Sequence, residues 1–330
     1  VVSLYLLSQL NENWSQNFSI FYVLVVQGLS GIAKDLTKMS SKSAVKILAP
    51  NNKEGLFRWV AVLTGSKNAV KGLGFLVGCA LLAMFGFFAS LIFMALVIMV
   101  ILICTLVLLK DNLLIKNKNT KFFDIFSKSK NINFLSAARV FLFGARDVWF
   151  VVSLPIFFYS VFSDVTVESN QKAFYIIGGF MSTWIILYGI IQANTPKLFL
   201  RKNNEKVNLV EIGKRWNIFL FLNLLFLTVF ILIFNELILV KIVLFLGLFI
   251  YCGIFAINSS IHSYLILRFS NKNRVSLDVG FYYMANATGR LIGTFLSGLT
   301  YQLGGLALSL TTASFMIGVC LCFTHLLKES

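Results

Sequence analysis

Seven cationic side chains stand inside stretches that are otherwise apolar: Lys34, Lys38, Lys42, Lys67, Lys71, Arg146 and Arg290. A cation at the centre of a membrane helix costs roughly 2.5–3.5 kcal/mol on insertion scales. Each of these must therefore snorkel to an interface, meet an acid, or face water or an anionic partner. In "SGIAKDLTKMSSKSAVK" the lysines at 34, 38, 42 and 46 recur every fourth residue. On a helix each is rotated by about 40° from the last, so together they make a basic stripe on one face. Lys42 and Lys38 lie near enough to the end of the run to snorkel. Lys34 lies 12 residues from Lys46, about 18 Å along a helix, and needs a water-filled cavity or an anion. Lys67 and Lys71 repeat the device in "LTGSKNAVKGLGF", and Arg290 lies 12 residues beyond Asp278 with Asn286 one turn before it. "INSSIHSYLIL" adds Asn258, Ser259 and His262. Asp35 and Asp147 are the acids expected well inside the membrane; each either neutralises a neighbouring cation or exchanges a proton during transport. Arg146 and Asp147 are adjacent, so their side chains leave a helix about 100° apart and need not pair with each other.

The elements that must position these groups are membrane helices. The chain is 58% hydrophobic with 34 Phe among 330 residues, and its mean hydropathy is +0.83, far outside the range of soluble chains. Long apolar runs and only three prolines point to helices rather than a barrel, which would show short alternating segments. Nine spans are expected, near 20–45, 55–84, 90–109, 139–162, 173–196, 216–235, 241–267, 276–301 and 305–327. The connections at 46–58, 110–139, 197–215 and 268–278, with Lys328, hold 20 of the 29 Lys and Arg; the opposite connections hold two, Lys172 and Lys241. By the positive-inside rule the basic loops and the C-terminus face the cytoplasm, which also accounts for most of the +16 net charge. No soluble domain is long enough for a nucleic-acid reading. A basic linker at 110–138 divides the chain into a bundle at 1–109 and a second at 139–330. Each half has a polar helix pair followed by a Gly-rich span, with Gly74 and Gly78 in the first and Gly289, Gly293 and Ser297 in the second. That suggests a parallel repeat with a site between the halves. "VVSLYLLSQL" opens on Val1 and is too short to span, so it reads as the tail of a helix in an N-terminally truncated chain.

Other chemistries find no support. Cys79, Cys104, Cys252, Cys320 and Cys322 all fall in apolar runs, and His262 and His325 are the only histidines, so neither a metal site nor a disulfide framework is expected. There is no nucleotide-binding loop, nucleophile elbow or H-E-x-x-H pattern, so no cofactor and no enzymatic activity is expected.

The blocks "GLSGIAKDLTKMSSKSAVK", "RWVAVLTGSKNAVKGLGF", "SAARVFLFGARDVWFVV" and "VSLDVGFYYMANATGRLIGTFLSGLTYQLGG" closely resemble the ArsJ family of organoarsenical efflux permeases, within the major facilitator superfamily. The resemblance implies a plasma-membrane transporter of two six-helix halves with cytoplasmic termini, here lacking helices one, two and most of three. It implies export of 1-arseno-3-phosphoglycerate, formed when a glyceraldehyde-3-phosphate dehydrogenase takes arsenate in place of phosphate, and hence arsenate resistance. Such a substrate carries oxyanions at both ends. Arg146 and Arg290 then suit oriented recognition and Lys34, Lys67 and Lys71 charge compensation, with Asn258, His262 and Asn286 as further polar contacts. A facilitator for another organic phosphate or carboxylate anion fits the charged residues equally well; a membrane scaffold whose polar groups only hold helices together is the remaining alternative, and the recurrence of polar groups in both halves favours transport over it.

Overall fold

The computed structural model describes residues 14–48, 53–108, 129–163, 166–200, 208–234, 237–270 and 275–328. Among them the side chains of 16, 34–69, 196–200, 237, 267, 275 and 276 lie outside the description. All regular structure among the described residues is helical: α1 (Gln16–Leu48), α2 (Lys53–Leu108), α3 (Lys130–Val148), a π-helical turn (Trp149–Ser153), α4 (Leu154–Phe162), α5 (Val167–Leu200), α6 (Leu209–Ile233), α7 (Leu237–Phe269) and α8 (Val275–His325). Among the described residues six helical stretches are long and apolar enough to cross a membrane, from Val70–Leu108 to Leu277–His325. The chain is thus a helical, membrane-embedded bundle. It divides into two compact units, Val1–Lys118 and Asn119–Ser330.

In the first unit α2 is broken at Gly86, whose φ of 72° lies in the left-handed region that favours glycine. Sequence reading puts a boundary between spans there. The Gly86 carbonyl accepts the Ser90 hydroxyl at 2.6 Å. Around Gly74 and Gly78 a Cβ would meet nothing within 4 Å among the described residues, so the close helix contact expected of that step is not seen. Lys71 is exposed, with its ammonium 5.9 Å from the Phe75 ring one turn on.

The second unit is organised around α3. This helix begins at Lys130 rather than near 139, because Ile132, Leu135 and Ala138 continue a buried face into a stretch whose polar residues resemble a linker. The two arms of α8 embrace it. Gly289 and Met316 both meet Gly144, yet a straight helix would hold residues so far apart in sequence about 40 Å from each other. The chain reverses between them at Gly304 and Gly305, the latter at φ 62°. Thr300 and Ser309 bridge the break with hydroxyls 2.9 Å apart. The first arm approaches α3 closely: a Cβ on Gly289 would overlap the Val140 backbone, and one on Gly293 the Gly144 backbone. The expected packing face of Gly289, Gly293 and Ser297 is therefore the α3 contact.

Pro155, near the start of α4, explains the π turn before it. Proline donates no N–H and its ring collides with the carbonyl four residues back, so the helix widens by a residue. The Val152 and Ser153 amides are then taken by the Ser297 hydroxyl of α8, at 3.2 and 3.1 Å. The Ser153 hydroxyl sits 3.0 Å from the Val148 carbonyl, 2.9 Å from the Ser297 carbonyl and 2.8 Å from the Ser309 hydroxyl. Ser297→Ala would remove the hydroxyl that accepts from both the Val152 and Ser153 amides, and its expected cost is about 1–3 kcal/mol of stability. Thermal unfolding in detergent should register a lowered midpoint; an unchanged one would show that the π turn holds without the clasp.

Candidate functional site

Arg139, Phe143 and Arg146 follow one another on α3 at spacings of four and three residues, so they share one face. Arg139 is only 5% exposed. Its Nε donates to Asn286 Oδ1 at 3.1 Å, and its Nη1 reaches the Ser259 carbonyl at 3.3 Å and hydroxyl at 3.1 Å. Its guanidinium lies 3.7 Å from the Phe143 ring centroid and 5.0 Å from that of Tyr282. All these partners are neutral, and among the described residues none of its contacts is with a carboxylate. Ser259 is itself held by Tyr188 at 3.2 Å and Gln192 at 3.4 Å, which ties α5 and α7 into the group.

A little over two turns beyond Arg139 on α3, Asp147 is fully buried. Its Oδ1 accepts from Arg146 Nε at 2.7 Å and lies 2.5 Å from Arg146 Nη2, while its Oδ2 accepts from Arg290 Nε at 2.9 Å. The ring centroids of Phe143 and Phe255 lie 4.9 and 5.5 Å from the Arg146 guanidinium. Phe255 in turn belongs to an aromatic cluster with Trp184, Tyr188 and Tyr251 that fixes its place. The Arg290 side chain is 42% exposed. Two guanidinium groups thus share the Asp147 carboxylate, and Phe143 lies against Arg146 and against the third guanidinium, that of Arg139. A buried region with a surplus of cations favours an anion.

The expected site residues divide accordingly. Arg146, Asp147, Arg290 and Asn286 come together between α3 and α8. Arg146 and Asp147, which helix geometry leaves free to pair or not, do pair, because the arginine side chain is long enough to curl back onto its neighbour. Asn286 serves Arg139 rather than standing free. Asn258 turns away from the arginines: its amide donates to Asn217, which donates to Thr324 at 2.9 Å in a fully buried contact. His262 is fully buried, with no hydrogen-bond partner at either ring nitrogen among the described residues. Lys34, Asp35, Lys38, Lys42 and Lys67 lie outside the described side chains, and Lys71 belongs to the first unit. Arg139 is the site residue that the sequence places at the edge of a span, where the basic connection at 110–139 meets the span at 139–162. Its signal is the seven-residue spacing to Arg146, two turns along the same face. No protein-family model, characterised protein or solved structure matches the chain.

Proposed function

We propose that this chain belongs to a membrane transporter for small organic oxyanions, and that its substrate is an organoarsenical ester of the 1-arseno-3-phosphoglycerate type. The observation that carries the reading is Arg139, a buried guanidinium whose partners among the described residues are all neutral. A fixed cation in a membrane bundle that is not cancelled by an acid is costly unless a mobile anion visits it. The nearby Asp147, shared by Arg146 and Arg290, leaves the group positively charged even with that carboxylate in place. The long apolar helices suit a carrier, and the resemblance noted above supplies the twelve-helix, two-half architecture and the arsenical. In this reading the basic loops and the C-terminus face the cytoplasm of a cell whose glyceraldehyde-3-phosphate dehydrogenase produces the ester, and the protein catalyses no covalent step.

The test is uptake into inverted vesicles bearing the full chain, comparing arsenylated with plain phosphoglycerate, with and without a pH gradient. Accumulation of the arsenylated ester supports the proposal. Accumulation of plain phosphoglycerate alone would make it a facilitator for ordinary organic phosphates, and accumulation of neither would reject transport.

A further inference from the structure

Arg139 and Arg290 are held in a crossed arrangement. Asp147 on α3 accepts from the Nε of Arg290 on α8, and Asn286 on α8 accepts from the Nε of Arg139 on α3. Each helix therefore fixes the guanidinium that the other presents. The two arginines on Asp147 are treated differently. Arg146 gives it both Nε and Nη2 and lies close to two aromatic rings. Arg290 gives it Nε alone, so the outer edge of its guanidinium, made by the two terminal nitrogens, contacts no acceptor among the described residues. That edge is a planar fork suited to two oxygens of one oxyanion, on a side chain that is 42% exposed.

We infer that Asp147 is a positioning residue: held by Arg146, it anchors the Nε of Arg290 and turns the free fork of Arg290 outward to receive the phosphate or arsenate end of the substrate. It acts as a fixed counter-charge rather than as the proton carrier that an intramembrane acid first suggests. The inference rests on the oxyanion-transport reading and adds the group that sets its specificity. Both carboxylates and phosphate esters fit a guanidinium fork. With three guanidinium groups to one carboxylate, the surplus charge matches a dianionic ester better than a monocarboxylate.

The experiment compares 3-phosphoglycerate with glycerate, which lacks only the phosphate, for binding to the purified full chain by calorimetry, with vesicle uptake measured across a series of pH values. The unmodified chain should prefer the phosphate ester. Arg290→Lys keeps the charge and can still reach Asp147 but has no fork; it should lower affinity for the ester by about tenfold or more while changing glycerate binding by less than about threefold. Asp147→Asn should erase the same preference although every cation remains, and should leave the pH profile of uptake as it was. Full ester preference in a folded Asp147→Asn protein, or in Arg290→Lys, would overturn the positioning role. So would an Asp147→Asn profile that loses its pH dependence, which would mark a proton carrier. If Asp147→Asn does not fold, Arg290→Lys decides alone. Equal binding of both ligands by the unmodified chain rejects the positioning role and leaves anion transport standing; binding of neither rejects both.

Discussion

Replacing Arg139 with glutamine is expected to cut export of the arsenylated ester by roughly 10- to 100-fold at matched membrane abundance while leaving thermal stability unchanged or slightly raised. The first half follows from the loss of a charge-assisted contact, worth about 1.5–3 kcal/mol, from a site where water does not compete. The second half follows from what Arg139 touches. Its partners are the Asn286 carbonyl oxygen, the Ser259 carbonyl and hydroxyl, and two aromatic rings. Removing it strands no carboxylate among the described residues. Ser259 keeps Tyr188 and Gln192, glutamine can still donate to Asn286, and a costly buried charge disappears. A purely structural arginine would behave in the opposite way, with stability falling and residual activity tracking folded protein. Export and unfolding measured on the same preparation separate the two. Normal export by Arg139→Gln would remove the main support for the anion site.

The second large effect is steric. Gly289→Ala should destabilise the bundle by several kcal/mol, on the order of the upper range for overpacked cores, because the three atoms nearest an added Cβ all belong to the Val140 backbone. A backbone cannot rotate aside as a side chain can, so α3 and the first arm of α8 would have to separate, and Arg139 and Asn286 with them. Gly298→Ala is the control on the same helix, since a Cβ there meets nothing within 4 Å. Both changes bring the same gain in helix propensity, about 1 kcal/mol, so only the contact differs. Abundance in the membrane and the unfolding midpoint should fall for Gly289→Ala and hold or rise for Gly298→Ala. Equal behaviour would mean that the helices are not in close contact at Gly289.

Hydropathy made the helices legible, and even the breaks at Gly86 and Gly304–Gly305 fall where apolar runs change over. Cost made part of the site legible: Arg146, Asp147, Arg290 and Asn286 stand out because polar groups inside apolar runs need a reason. Arg139 was hidden for a related cause. A hydropathy window over "KNINFLSAAR" is too polar to read as a span, although its buried face of Ile132, Leu135 and Ala138 is already helical. Arg139 therefore lies nine residues inside the helix, about 14 Å from its start, instead of at its edge. Which partner a polar side chain chooses was not legible at all. Asn258 and Ser259 are neighbours on α7, yet one joins Asn217 and the other joins Arg139. That choice depends on how α6, α5 and α3 crowd around α7, which one strand of sequence does not encode locally.

The embrace of α3 by both arms of α8 also sets an order of events during synthesis. Arg290 is 143 residues beyond Asp147, and at about 5–20 residues per second the ribosome needs roughly 7–30 s to reach it. Through that interval α3 waits in the bilayer without the helix that will cover it, its polar face open to whichever earlier helices or lipid headgroups lie alongside. Insertion of the most polar span is therefore provisional until the chain is almost finished. Quality-control proteases meet this protein with its charged helix unshielded, and a ribosome that stalls before Arg290 leaves behind a product with no means of completing its own core.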